Sequence, residues 1–205
     1  MQEIIPLIEG NFYHIYNRGI NGEDIFKKEE NYFYFLQQYS KYVAPIVDTY
    51  SYCLLKNHFH LMIRVKDFKN PDNNLPALMQ EKGWLKYPDL SRQFSHFFNS
   101  YSQSINASFS RTGGLFETSF KRNLIDNEQY FNQVIYYIHA NPQKHGFMTD
   151  FRKYLYSSCK SHISEKPTSL MRDEMLEWFG GKDAYIHFHD RDQFDGMEDF
   201  ILAFD

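Results

Sequence analysis

The chain has 205 residues, 19% of them aromatic, a formal net charge of −4 and two cysteines, which suits one domain with an appendage and a sizeable core. Cys53 and Cys159 exclude a disulfide framework and suit a reducing cytoplasm, and neither a membrane-length apolar run nor a cationic leader is visible, so a cytoplasmic protein with no membrane contact is expected. Residues 84–166 carry 10 Lys+Arg against 6 Asp+Glu and residues 167–205 carry 3 against 10, so a basic middle keeps a nucleic-acid face open despite the negative total.

Asn11 to Gly19 reads as a strand ending at a glycine turn. Glu29 to Val43 places Tyr32, Phe35, Leu36, Tyr39 and Val43 at helical spacing, with Pro45 just past its end. Val47 to Leu55 is a second strand, and Lys56-Asn57 makes a tight turn into a third, His58 to Val65. In a strand alternate side chains share a face, so Phe59, Leu61, Ile63 and Val65 form an apolar face. His58 and His60 lie on the other, about 7 Å apart along the strand, with Met62 and Arg64 beyond them. Paired imidazoles there are candidate ligands for a divalent metal; the plainer alternative is a surface or hydrogen-bonded pair. His187-Phe188-His189 repeats the spacing in a tail with Asp190, Asp192 and Asp195, where a structural role is expected.

Lys66 to Pro88 is loop-like. Leu90 to Phe109 returns to helix with Phe94, Phe97, Phe98, Tyr101 and Ile105 on one side, Gly113-Gly114 breaks it, and a short strand surrounds Phe120 to Ile125. The order strand, helix, strand, strand, helix, strand predicts an α+β, ferredoxin-like split antiparallel sheet with two helices on one face. The face with His58 and His60 is left for another element. First and third strands are central neighbours in such a sheet, with the fourth strand beyond the first. His14 and Tyr16 could then extend the site, and Arg18, Lys121 and Arg122 are candidate phosphate contacts; solvated charges at strand ends are the alternative.

A further helix is expected from Asp126 as its cap to about Asn141, because Pro142 disfavours a helical residue before it. At about 100° per residue, Tyr130, Val134, Tyr137 and Asn141 share a stripe, and Tyr136 points away from Asn141. An Asn oxygen can complete a two-imidazole metal site, with the Tyr137 phenol one turn away. A tyrosine in an aromatic-rich helix is otherwise core.

Tyr13-His14-Ile15-Tyr16-Asn17-Arg18-Gly19, Tyr52 to Ile63 with Asn57-His58-Phe59-His60, Gly114-Leu115-Phe116-Glu117 with Phe120-Lys121, and Tyr137-Ile138-His139-Ala140-Asn141-Pro142 together resemble the REP-associated tyrosine transposase branch of the HUH single-tyrosine transposases. Tyr156-Ser157-Ser158 echoes a further block, so the resemblance spans about residues 11–160. Lys56 stands where the family usually has proline, and Gln143-Lys144-His145 where Val-Arg-Ala is usual. The resemblance implies a transposase domain over 1–160; the remainder, 161–205, is expected as an acidic C-terminal extension with helices, to which the resemblance gives no role. The same resemblance implies metal ligands His58, His60 and Asn141, nucleophile Tyr137, and Mg²⁺ or Mn²⁺ as the ion; ligand type alone leaves Zn²⁺ open. The implied reaction is nicking and rejoining of single-stranded or hairpin DNA through a 5′-phosphotyrosine, by a monomer or dimer. A catalytically silent hairpin-binding protein is the alternative. A metal-dependent hydrolase fits less well, since these blocks hold no obvious water-activating carboxylate.

Overall fold

Apolar residues alternate along β1 (Phe12–Arg18), β2 (Val47–Leu55) and β3 (His58–Val65), and all three strands are buried over most of their length. Such strands need cover on both faces. The computed structural model describes residues 5–68, 89–117 and 119–191. Most of the expected loop from Lys66 to Pro88, and the acidic tail after Arg191, therefore lie outside the described residues.

The sheet runs β2-β3-β1-β4, with β4 (Lys121–Ile125) at one edge and every pairing antiparallel. Helices α1 (Glu29–Tyr42) and α2 (Leu90–Ser108) complete the expected split unit. Their apolar stripes meet Ile15, Phe59, Leu61, Ile63 and Val65 in one core. Phe35 is its hub, with ring centroids 5.1 Å from Phe59, 4.8 Å from Phe97 and 5.1 Å from Tyr101. Offset and edge-on ring contacts of this kind contribute about 0.5–1.5 kcal/mol each beyond area burial, which is where much of the aromatic excess goes.

The opposite face is covered by α3 (Glu128–Lys144), whose Phe131, Val134, Ile135 and Ile138 pack with Tyr16, Tyr50 and Met62 in a second core. Helices α4 (Cys159–Ile163), α5 (Arg172–Phe179) and α6 (Lys182–Asp190) follow. Met175 and Tyr185 from the segment beyond residue 160 are buried in that same second core. Arg64, on the α3 side of β3, bonds Glu174 of α5 at 2.7 Å and Asp48 of β2 at 3.1 Å. Part of the acidic tail is thereby tied to the sheet.

Tyr156-Ser157-Ser158 runs along the outer edge of β2. Leu54 N–H donates to the Tyr156 carbonyl and Ser158 N–H to the Tyr52 carbonyl, both at 2.9 Å. The block satisfies an edge that would otherwise be open to pairing.

Two expected boundaries of α3 are corrected. Asn127, not Asp126, is the cap: its side chain accepts the Tyr130 N–H at 2.8 Å. The helix also continues through Pro142 to Lys144 instead of ending at Asn141. Proline removes one helical N–H and crowds the preceding turn, but Asn141 is fully buried with its side-chain oxygen 3.0 Å from His58 Nε2, so tertiary contact holds it helical.

Candidate active site

The register of the central strands sets the site. His58 pairs with Arg18 and His60 with Tyr16 across β1 and β3, so these four side chains share the face beneath α3. The helix turns Tyr137 and Asn141, one turn apart, down onto that face. The Tyr137 ring meets His60 edge-on at 5.2 Å and His14 at 5.9 Å. The Asn141 side-chain oxygen lies 3.0 Å from His58 Nε2. Tyr136 is turned away, into Phe151 at 5.7 Å and Phe188 at 6.1 Å. Of the two adjacent tyrosines, Tyr137 faces the histidines.

His60 is held from behind. Its Nδ1 is 2.9 Å from Nε2 of His14, a fully buried residue. Burial, then the neighbouring His14, His58, His145 and Lys144, hold the His60 imidazole well below its ordinary range, and burial pulls His14 down to about 3. Both rings are therefore neutral at pH 7. When His60 is the donor in this contact, its lone pair falls on Nε2, a buried nitrogen with no hydrogen-bond partner among the described residues. His58 is set, since its Nδ1 lies 2.7 Å from the Asn57 side-chain oxygen. A carboxamide oxygen only accepts, so Nδ1 carries the proton and Nε2 the lone pair.

The His58–Asn141 contact then brings two acceptors face to face, unless the ring is doubly protonated, the amide turns over or a cation lies between. The Asn141 amide nitrogen has no partner among the described residues. An orphaned imidazole nitrogen, facing acceptors and paired imidazoles make His58, His60 and Asn141 a donor set that a divalent ion would fit, and imidazole donors do not by themselves select Mg²⁺ or Mn²⁺ over Zn²⁺.

Beside His58 opens a cleft of about 120 Å³ lined by Tyr16, Asn17, Arg18, Glu117, Lys121 and His145. Arg18 lies 3.7 Å from Glu117, and the Lys121 ammonium sits 5.7 Å from the Tyr16 ring centre. Arg122 is elsewhere. It pairs with Ile15, so it points to the other face of the sheet, where it bonds Ser91 of α2 at 3.3 Å. The structure thus brings Arg18 and Lys121 to the histidines and separates Arg122 from them.

Sequence reasoning passed over two residues of this site. His145 packs edge-on against His58 at 4.8 Å, and Lys144 lies 5.2 Å from the centre of the Tyr137 ring. A signal existed: His145 is four residues beyond Asn141 and continues its stripe. The expected stop at Pro142 cut the stripe short.

The split antiparallel sheet with its covering helices has a counterpart among solved structures. The fold matches a solved structure of a REP-associated tyrosine transposase bound to a REP hairpin, with a TM-score of 0.59 over 82% of this chain and 89% of that one, at 12% identity. At such identity the likeness is one of fold. In sequence, the Haemophilus influenzae protein named "Putative REP-associated tyrosine transposase" is 26% identical over 113 residues, 54% of this chain and 58% of that protein. The match thus spans little more than half the relative's length. No family model matches the chain. The curated relative and the solved structure both agree with the family resemblance read from the motifs. No helix among the described residues is long and apolar enough to cross a membrane.

Proposed function

We propose that this protein is a metal-dependent tyrosine transposase that nicks and rejoins single-stranded, hairpin-containing DNA. The observation that carries the reading is the seating of Tyr137 on His60 at 5.2 Å with Asn141, one turn on, 3.0 Å from His58. The Tyr137 oxygen attacks the scissile phosphorus. A phosphotyrosyl bond to the 5′ side forms, the bond to the 3′ oxygen breaks, and that oxygen takes up a proton in exchange for the one the phenol loses. A later 3′-hydroxyl reverses the step, so strands are joined without ATP. A divalent ion on His58, His60 and Asn141 would supply charge stabilisation at the phosphate.

The chain's own groups do the rest. Asn57 sets the tautomer of His58, and His14 holds the His60 ring from behind. The Lys144 ammonium lies over the Tyr137 ring, 5.2 Å from its centre, and brings a positive charge to the helix end that faces the site. Arg18 and Lys121 offer cations to the backbone on either side of the cleft. Arg122 reaches DNA only if the strand wraps the β4 edge. Tyr137 is 2% exposed, so its ring or α3 must move for the phenol to meet a phosphate.

That burial is also the observation favouring the second reading, hairpin binding without turnover. Incubation with labelled hairpin single strands and Mn²⁺, followed by denaturing electrophoresis, separates the two. The transposase gives a covalent protein–DNA adduct that Tyr137→Phe abolishes. Tight hairpin binding with no adduct establishes the silent form.

A further inference from the structure

A second cluster of donor atoms lies on the other side of α3. Among the described residues, one trio of His, Cys, Asp or Glu side chains brings its ligand atoms within 4.8 Å of one another: His139, Cys159 and His189, all buried. They come from α3, α4 and α6.

In each histidine the nitrogen facing away from the trio is already held. His189 Nδ1 donates to the Tyr185 carbonyl at 2.9 Å, which leaves the lone pair on Nε2. His139 Nε2 lies 2.8 Å from Ser158 Oγ. That hydroxyl accepts the Tyr52 N–H at 2.9 Å and can donate to the Tyr52 carbonyl at 3.3 Å, so it is free to accept from His139 as well. The remaining nitrogens, His139 Nδ1 and His189 Nε2, face each other at 2.8 Å.

His162 supplies an independent sign. It follows Cys159 by three residues on α4, is 1% exposed, and neither ring nitrogen has a hydrogen-bond partner of normal geometry among the described residues. Its ring centre is 6.0 Å from that of His139. Buried polar groups are nearly always satisfied. Without an ion the trio can satisfy itself, His139 donating to His189, whereas His162 is left with a contact to the Tyr50 backbone that falls short of a normal hydrogen bond.

We propose that His139, Cys159 and His189, with His162 as fourth donor, form a structural zinc site that braces α3 from behind its Tyr137 face. Mixed thiolate and imidazole ligands in a closed, buried set suit tetrahedral zinc, with Zn–N about 2.0–2.1 Å and Zn–S about 2.3 Å. Tetrahedral ligands at those lengths lie about 3.4 Å apart, so the facing nitrogens must separate by about half an ångström. Burial pushes the Cys159 thiol up to about 12, so zinc binding releases the thiol proton to solvent as the thiolate forms. The site does not depend on the transposase reading. His139 lies between Tyr137 and Asn141 in sequence, so a metal here would stiffen the helix that carries both.

The test is metal-stripped full-length protein titrated with Co²⁺ alone and with Zn²⁺ alone. The His58–His60–Asn141 set has no sulfur, so a near-ultraviolet thiolate-to-cobalt charge-transfer band reports the second site specifically. The band is expected in wild type, in the His58→Ala/His60→Ala double variant and in Cys53→Ser, and is expected to vanish in Cys159→Ser. Ser158→Ala, which removes the group holding His139 Nε2, is expected to weaken Zn²⁺ affinity by about 10- to 100-fold. Folded wild type that gives no thiolate band overturns the proposal, whatever the variants do. A band that survives Cys159→Ser in a protein still folded by circular dichroism overturns it too.

Discussion

His14→Phe tests whether the buried pair behind the site positions a ligand. The replacement keeps an aromatic ring against Tyr16, now stacked at 4.9 Å, and His60, at 5.1 Å. It removes the acceptor 2.9 Å from His60 Nδ1. The orphaned, buried N–H costs about 1–3 kcal/mol of stability. Without that acceptor nothing favours the tautomer that leaves Nε2 unprotonated, and the other tautomer blocks a metal. Losing such a partner typically costs about 10- to 100-fold in metal affinity, or about 1.4–2.7 kcal/mol. The assay is the initial rate of covalent adduct formation on a hairpin strand against Mn²⁺ concentration. The half-saturating concentration should rise by about 10- to 100-fold while the plateau rate stays near wild type. Lower stability alone is expected on any packing account, so it decides nothing. An unchanged half-saturation point, with or without a lower plateau, would refute the positioning role.

The other predictions turn on which side chains share the site. Tyr137→Phe should abolish the adduct while hairpin binding persists, and Tyr136→Phe should leave the adduct intact because Tyr136 faces Phe151 and Phe188; electrophoresis of each variant with Mn²⁺ decides. Asn141→Ala should raise the Mn²⁺ requirement, since it removes the oxygen 3.0 Å from His58 Nε2; Mn²⁺ titration of the adduct rate checks it. For single-strand binding, each true phosphate contact should lower the salt slope by about 0.7 when removed. Arg18→Ala and Lys121→Ala should each show that change and Arg122→Ala should not, because it lies on the opposite face; unchanged slopes for both Arg18→Ala and Lys121→Ala would place the DNA elsewhere.

The split sheet was legible because its signals are local. Alternation in Phe59, Leu61, Ile63 and Val65 and helical spacing in the two covering helices each follow from a short window. The α+β assignment then follows from element order alone. The strand order β2-β3-β1-β4 is the one that order implies. The role of Tyr156-Ser157-Ser158 was not legible, because edge pairing with β2 joins residues about a hundred positions apart and depends on backbone hydrogen bonds that any sequence can make. The placement of Arg122 was lost more narrowly. Alternation along β4 gives Lys121 and Arg122 opposite faces whatever the register, and grouping both with Arg18 overlooked that rule.

The site itself was half legible, and the limit was Pro142. The stripe rule found Tyr137 and Asn141, and the strand rule found His58 and His60. A proline after Asn141 argues for a helix end, because the preceding residue is crowded out of helical geometry. That preference is small beside what Asn141 gains here, a buried amide packed under α3 with its oxygen against His58. Once the helix runs on to Lys144, the same stripe carries His145 to His58, and Lys144 reaches the Tyr137 ring. The helix also has a second face that no motif marked. His139, about 200° around the helix from Tyr137, turns its donor to Cys159 and His189. Cys159 follows 20 residues on, at the end of the expected transposase domain, and His189 follows 50 residues on, in a segment that reads from sequence as an acidic appendage. His187 and His189 share a strand face only if the segment is a strand. It is helical, so the pair separates: His187 bonds Arg191 at the surface and His189 turns inward to His139. A helix with donors on opposite faces thus hides one set from any reading that assigns its elements one face each.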